Sequence, residues 1–497
     1  MTVKFTVDAY DPEGDALFYT FHIFNENGEQ YDIISESNIF YYTFYADGNY
    51  TVKVSVSGSH NETTLSKALS VKVLPSNTPI KISVLTSRQL AGILNEDFGK
   101  VSAKTVFYND KDYNVTINIK GYNNGEPVID KNETILPNQT FVITEHYLVV
   151  PTTDVIVYSS AHIKVSASIF TPEGIARAWY KYDNTIQMYV PYIEENTGFR
   201  DSYVYISNPY VKPVAYTFNE TINELPEDYT IILNAGSYVS PLMDSSKCWG
   251  LVRDEIIQTF NNLVEEKTLN GLGISVDFDK KPAMYELKQD GSTRLYLPFI
   301  PHIDCYNDLV LLNTGDRESD VVIRFFDNHG IKTGEYTVNI PDQQRVKIYL
   351  EKVLYDLDIN ADYAVIDSIQ PIIGVNEVKL LYGGEYAFTL PSYGEIGGYS
   401  SVVLSDDYYW TAFSLVNTTD QEISITFALY TASGNFKVNK FITVPKRGML
   451  ASYIKDIFND VEIQNGDSVV IISTKPISGL TLQGNYSLTR VSALPIF

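Results

Sequence analysis

Asp8, Asp11, Glu13 and Asp15 fall within one short stretch around the turn DPEGD, and oxygen donors at that density are what a calcium ion needs. Asp, Pro and Gly are also the ordinary formers of tight turns, so the same residues suit a bare turn as well. DKDYN, from Asp110 to Asn114, repeats the carboxylate spacing without a following glycine. Calcium is therefore the one cofactor for which the sequence offers ligands. The six histidines, His22, His60, His146, His162, His302 and His329, form no H-E-x-x-H and no paired metal spacing. Their tightest grouping is PHIDC, with His302, Asp304 and Cys305. There is no G-x-S-x-G, no Walker loop and no G-x-G-x-x-G after a strand. A glycosidase-like carboxylate pair needs no motif and stays open among 61 acidic residues. Tandem small sandwiches seldom enclose a deep cleft, however, and the expectation is that the chain is not an enzyme.

Aromatic side chains are the other resource. Tyr, Phe and Trp make up 13% of the chain, and exposed rings of this kind serve as platforms for sugars. SDDYYW concentrates them, which makes Tyr408, Tyr409 and Trp410 the candidate platform. The same residue types also fill strands and subunit contacts. Eight N-x-S/T sequons mark Asn49, Asn61, Asn114, Asn132, Asn138, Asn219, Asn417 and Asn485 as candidate glycosylation sites. Several of them sit at expected turns or strand ends. Cys248 and Cys305 are the only cysteines, available either for one disulfide or as two buried thiols.

Thirty-seven basic residues against 61 acidic ones leave a net charge of −24, a surface that repels nucleic acid and anionic lipid. No stretch approaches 18 apolar residues, so no membrane span is expected. The first residues, MTVKFTVDAYDPEGD, do not read as a signal peptide.

These residues need elements to carry them, and the pattern is one of strands. VKFTVDAYD alternates. ALFYTFHIF alternates again with Leu17, Tyr19, Phe21 and Ile23 on one face, and GNYTVKVSV follows a glycine turn. DPEGDALFYTF with DGNYTVKVSV resembles PKD and cadherin-like immunoglobulin-type modules of extracellular proteins. The resemblance covers about 75 residues and implies a sandwich, with calcium at acidic turns of the cadherin-like relatives. Such modules carry a strand before the one corresponding to VKFTV. Its absence here suggests a fragment of a longer chain, an edge that another subunit completes, or an edge that is simply tolerated.

After LPSNTP the chain repeats itself. LLNTGDRESDVVIRFFDNHG from Leu311 and LVNTTDQEISITFALYTASG from Leu415 place Asn313, Thr314, Asp316, Glu318 and Gly330 opposite Asn417, Thr418, Asp420, Glu422 and Gly434. Pro341 and Pro445 each follow their asparagine by the same interval. Val346, Leu350, Val353, Leu354 and Leu357 match Leu450, Ile454, Ile457, Phe458 and Val461, at helical steps. NADYAVIDSIQPIIGV and NGDSVVIISTKPISGL then each read as strand, proline turn and return strand. Fainter copies centre on Asn109 and Asn208, the latter with helical steps at Ile256, Phe260, Leu263 and Val264. YVPYI, YLPFI and TLPSY are expected to open units, and ALPIF looks like the same element again.

The expected fold is all-β: tandem antiparallel β-sandwich domains, immunoglobulin-like, with short helices inserted in the repeats. Boundaries are expected at 1–78 for an incomplete PKD/cadherin-like sandwich, then 79–183, 184–292, 293–390 and 391–497 for four units. A period near 105 residues predicts a core in each unit and beads on a string. The units resemble sandwich repeats of large prokaryotic cell-surface proteins. The resulting expectation is an extracellular structural protein, part of a surface layer, filament or stalk, associating with copies of itself or other surface proteins. The alternative is an adhesin or carbohydrate-binding surface protein whose partners are glycans.

Overall fold

A computed structural model describes the chain outside residues 1, 8–16, 25–29, 36–38, 44–47, 58–62, 66–68, 74–79, 95–99, 124–125, 146, 149–151, 181–186, 191–199, 208–213, 223–224, 234–237, 240–249, 254–269, 278–280, 289–290, 303–304, 382, 393–397 and 497. The protein is all-β, built of antiparallel sheets with three short helices among the described residues. It divides into two compact units, one holding Met1–Pro79 with Ser160–His162 and the other the remainder.

In the first unit, strand Phe18–Phe24 lies between Gln30–Ser35 and Gly48–Ser57, and Thr2–Thr6 pairs with Ile39–Thr43. Strict alternation of apolar residues puts Tyr19, Phe21 and Ile23 in the core with Phe5, Val52 and Val54, and Leu17 packs at its margin. On the opposite face His22 bonds Asp32 at 2.6 Å and Ser55 at 2.6 Å.

The second unit repeats one topology four times. In the last copy the eight strands are Gly398–Val402, Tyr409–Asn417, Ile423–Tyr430, Phe436–Val444, Met449–Tyr453, Ser468–Ser473, Ile477–Asn485 and Val491–Ile496. One sheet has the order first–sixth–third–fourth, the other fifth–second–seventh–eighth. The same two orders recur over residues 80–179, 187–286 and 292–389. In the third copy the sixth and seventh strands fuse into Tyr363–Leu380. Its pairing with Ser319–Phe326 ends at Ser368, and its pairing with Cys305–Asn313 begins at Ile372. Pro371, which has no N–H, sits between the two ladders where none is required.

The duplicated Asn-Thr is a structural clamp. Asn313 is fully buried, and its Nδ2 donates to the carbonyls of Arg317 (2.7 Å), Ile340 (3.1 Å) and Pro341 (3.1 Å). Asn417 donates likewise to Gln421 (2.6 Å) and Pro445 (2.8 Å), and Asn109 to Tyr113 (2.8 Å) and Ile135 (2.9 Å). Thr314 Oγ1 donates to Pro371 O at 3.0 Å, as Thr418 Oγ1 does to Pro476 O at 2.9 Å. One asparagine thus ties the turn after the second strand to the end of the fourth, and the threonine ties it to the proline between the sixth and seventh. The fixed Asn-to-Pro interval is that hydrogen bond.

The helices are shorter than the apolar steps suggest. Val346 and Leu450 lie in strands Arg345–Tyr349 and Met449–Tyr453, and the helices are Leu350–Asp356 and Ile454–Ile457. Pairing with Cys305–Asn313 and Tyr409–Asn417 claims the β-branched and aromatic residues before the helix can start. The steps expected at Ile256, Phe260, Leu263 and Val264 lie outside the described residues. TLPSY and ALPIF both belong to closing strands, Glu385–Thr389 and Val491–Ile496, whereas YLPFI belongs to an opening one, Ser292–Leu297.

The copies are not separate beads. Residues 403–496 have a core of their own around Phe413, Phe427, Ile425 and Ile471. The core of residues 295–390, however, continues without a break into Trp410, Leu480, Leu482, Val491 and Ala493. The closing strands of all four copies converge: Ile175–Trp179 touches Pro282–Glu286 and Val491–Ile496, and Glu385–Thr389 touches the same two. Trp179 Nε1 donates to Pro495 O at 2.7 Å and Arg490 to Pro172 O at 2.8 Å, so the fourth copy meets the first and the set closes on itself. The outward face of the fourth copy's closing strand is apolar, with Val491 and Ala493 in the core shared with the third copy, and burying it against neighbours outweighs the freedom of a string.

Candidate functional site

The asparagine of SDDYYW's neighbourhood and one carboxylate build the most distinct surface feature. Asp406 Oδ1 accepts the backbone N–H of Tyr408 and of Tyr409, each at 2.7 Å, and its Oδ2 accepts Asn465 Nδ2 at 2.6 Å. Three donors hold the Asp406 carboxyl below the usual carboxylate range, with Asn465 the largest influence. The Asp406 carbonyl in turn accepts Lys455 Nζ at 3.0 Å, and the same ammonium reaches Tyr486 Oη at 3.2 Å. Tyr486 N–H donates to Tyr408 O at 3.1 Å. Three loops distant in sequence are thereby fixed to one another.

Between them lies an open cleft of about 210 Å³, lined by Ser405, Trp410, Tyr453, Lys455, Asp456 and Tyr486. Tyr486 and Tyr453 are half exposed, and Tyr408 beside them is 76% exposed. Trp410 is the floor rather than a platform. It is 8% exposed, donates Nε1–H to Asn485 O at 2.9 Å and meets Tyr453 edge-to-face at 5.6 Å. Its alternation within Tyr409–Asn417 turns it into the core shared by the third and fourth copies. Tyr409 is half-buried, its hydroxyl accepting Arg490 Nη1 at 3.3 Å. Ser405 is buried beneath the cleft, and its hydroxyl makes no hydrogen bond. Of the sequence-derived triad only Tyr408 therefore presents a free ring. Tyr453, Tyr486 and Lys455 arrive from other strands and loops, and no local spacing could have joined them to SDDYYW.

The remaining candidates separate. Asp8, Asp11, Glu13 and Asp15 lie outside the described residues, and among the described residues no three His, Cys, Asp or Glu converge as a metal site. Asp110 is engaged by Lys111 at 3.1 Å. Cys248 and Asp304 are outside the described residues, and Cys305 is half-buried. His302 bonds Asp362 at 2.7 Å.

Asn61 also falls outside the described residues, and of Asn49 and Asn219 only the strand backbone is described. Asn114 and Asn132 are exposed. Asn138 stands in a left-handed turn at φ 57°, and half-buried Asn485 donates to Thr489 Oγ1 at 2.8 Å. Asn417 is a correction. At 1% exposure its Nδ2 is committed to carbonyls, and Thr419, the third residue of the sequon, donates Oγ1–H to Asn417 Oδ1 at 2.8 Å. A sugar on that nitrogen would displace the clamp, so the N-T-T here is a folding motif. Among the described residues no helix is long and apolar enough to cross a membrane.

No family model and no curated protein matches this chain. Among solved structures, it is similar to the Bacteroides ovatus mixed-linkage glucan utilization locus SGBP-B in complex with a mixed-linkage heptasaccharide. That alignment has 11% identity and a TM-score of 0.14, covering 76% of this chain and 92% of the other. A tetra-tandem repeat in the extending region of a large adhesion protein aligns at 10% identity and a TM-score of 0.11, covering 96% and 91%. A Bacteroides uniformis β-glucuronidase aligns at 11% identity and a TM-score of 0.12, covering 45% of this chain and 26% of that one. At these scores the alignments assign neither ligand nor activity.

Proposed function

We propose that this chain is a cell-surface binding protein that takes a carbohydrate at the tyrosine cleft of its last repeat and does no chemistry on it. The observation that carries this reading is the cleft. Tyr453 and Tyr486 line it beside Lys455 and Asp456, with exposed Tyr408 on the adjoining loop, which is the mixture of apolar faces and polar edges that a sugar ring presents. Asp406 is spent on holding the loops, so it supports binding geometry rather than proton transfer. Glycan-array screening of the whole chain followed by calorimetry tests the reading. Tyr408→Ala and Tyr486→Ala should each weaken the selected glycan roughly tenfold, the loss of about 1.4 kcal/mol, with the melting temperature unchanged. An array without a hit, or a hit indifferent to both substitutions, removes the cleft from consideration.

Self-association into a surface array is the second reading, and a separate feature favours it. Among the described residues strands Lys332–Ile340 and Phe436–Val444 each have a partner on one side only, and they share one burial pattern along their length. Phe441 at 70% exposure and Ile472 at 46% flank Thr426 across the outer sheet face. Open edges invite pairing. Electron microscopy of purified protein showing ordered filaments or lattices would support this reading, and monodisperse monomers at high concentration would oppose it.

A further inference from the structure

Where the closing strands converge, the first copy contributes two cations that form no ion pair among the described residues. Register places Lys104, Ser168 and Arg177 directly abreast on three adjacent strands, and hence on one face. It is the outward face. Tyr180, at the opposite parity to Arg177, accepts Leu85 N–H at 2.8 Å inside the sandwich, while Trp179 bonds Pro495 of the fourth copy. Arg177 is 8% exposed, and its Nη1 has no hydrogen-bond partner. Ser168 is equally buried, at 5%. Lys104 is half-buried, so the group is reached from solvent at its lysine end.

Burial draws the Arg177 guanidinium down to about 10, which leaves it charged at neutral pH. Burial and the neighbouring Arg177 both lower Lys104, and no carboxylate acts on either group. An uncompensated buried charge is destabilising. Of the acids on the closing strands beside it, buried Glu286 pairs with Lys288 at 3.3 Å, and among the described residues neither it nor buried Glu385 hydrogen-bonds Lys104 or Arg177.

We infer that Lys104, Ser168 and Arg177 form an anion site at the convergence of the repeats, taking a small oxyanion such as sulfate, phosphate or the carboxylate of an acidic sugar. Guanidinium and ammonium supply charge-assisted donors, and Ser168 supplies a hydroxyl between them. The site is separate from the tyrosine cleft, and either can fail without the other.

Differential scanning fluorimetry of the full chain tests it, with sodium sulfate, phosphate or glucuronate titrated against sodium chloride at constant ionic strength. Wild type should show a saturable rise in melting temperature with at least one oxyanion. Arg177→Gln and Lys104→Gln should each raise the half-saturating concentration tenfold or more. Arg177→Met supplies the opposite sign: more stable than wild type in chloride, where the charge is uncompensated, and less stable than wild type at saturating oxyanion. A response to glucuronate alone identifies an acidic sugar as the occupant, and a response to sulfate or phosphate identifies a free or esterified inorganic oxyanion. Equal melting in all salts, or equal titration curves for wild type and Lys104→Gln, would overturn the assignment.

Discussion

Replacing Asn313 by alanine is the sharpest test of why the sequence repeats. The side chain is fully buried; Nδ2 donates to three carbonyls at 2.7–3.1 Å and Oδ1 accepts Gly315 N–H at 2.9 Å. Two donor hydrogens shared among three acceptors, plus one accepted bond, amount to about three good hydrogen bonds. At ~1 kcal/mol net each the loss is ~3 kcal/mol, and leaving buried carbonyls without a partner raises it toward ~5 kcal/mol. Asn313→Asp keeps the volume but turns an oxygen toward those carbonyls, and should cost at least as much. Asn339→Ala is the control: exposed, with one bond to Asp320 at 3.0 Å, it should cost under ~0.5 kcal/mol. Urea unfolding of the whole chain followed by tryptophan emission measures all three. If Asn313→Ala costs no more than Asn339→Ala, or Asn313→Asp is tolerated, the clamp is not what the duplicated motif preserves.

Three further outcomes follow from other contacts. Gly434 has φ +83° and a Cβ there would meet Pro137 O at 2.8 Å, so Gly434→Ala should cost ~1–3 kcal/mol and speed hydrogen exchange around Gln139. Unchanged exchange there would separate the two copies. Trp410→Ala should lower global stability by ~3–5 kcal/mol, since it removes a core ring. A loss of glycan binding at full stability would return Trp410 to the surface. Asp406 is depressed below 3.8, so its contribution is complete above that value and disappears as pH falls through the lower folded one. Glycan binding measured by calorimetry should therefore be flat from neutral pH to about pH 4 and fall only below it. A decline beginning near pH 6 would point to another group.

Alternation along ALFYTFHIF made the first core face readable, because a strand's period of two is local. The repetition between the third and fourth copies was readable because their Asn, Pro and Gly are fixed by hydrogen bonds and by φ, which tolerate few substitutes. Packing between copies was not. The residues that join them, Trp179, Arg490, Gly384 and Ser414, act through backbone carbonyls of Pro495, Pro172, Leu488 and Pro298, and a carbonyl leaves no mark on side-chain identity. The tyrosine cleft failed for a related reason. SDDYYW names an aromatic cluster, but the sheet's pleat decides which ring faces out, and the pleat turned Trp410 inward.

The docking between copies also has a consequence for assembly. Gly330 of the third copy, at φ +81°, sits against Arg447 of the fourth, and Met449 N–H bonds Asn328 O at 2.9 Å. Gly434 of the fourth copy sits against the corresponding loop of the first, at Pro137 and Asn138. Gln343 and Arg447 hold left-handed backbone two residues after their prolines, and Asn138 one residue after Pro137, with Asn138 and Arg447 at the contact loops. The fourth copy thus carries both halves of a head-to-tail contact. Contacts of that kind either close or propagate without limit. Here the fourth copy turns back to the first, so these surfaces are satisfied within one chain. Among the described residues closure leaves open the fourth strands, Glu126–Ile135, Leu225–Leu233, Lys332–Ile340 and Phe436–Val444, and the self-association reading draws on edges of this kind. Charged substitutions at Phe441 should therefore suppress any assembly through its edge, while leaving the Gly434 contact and the fold intact.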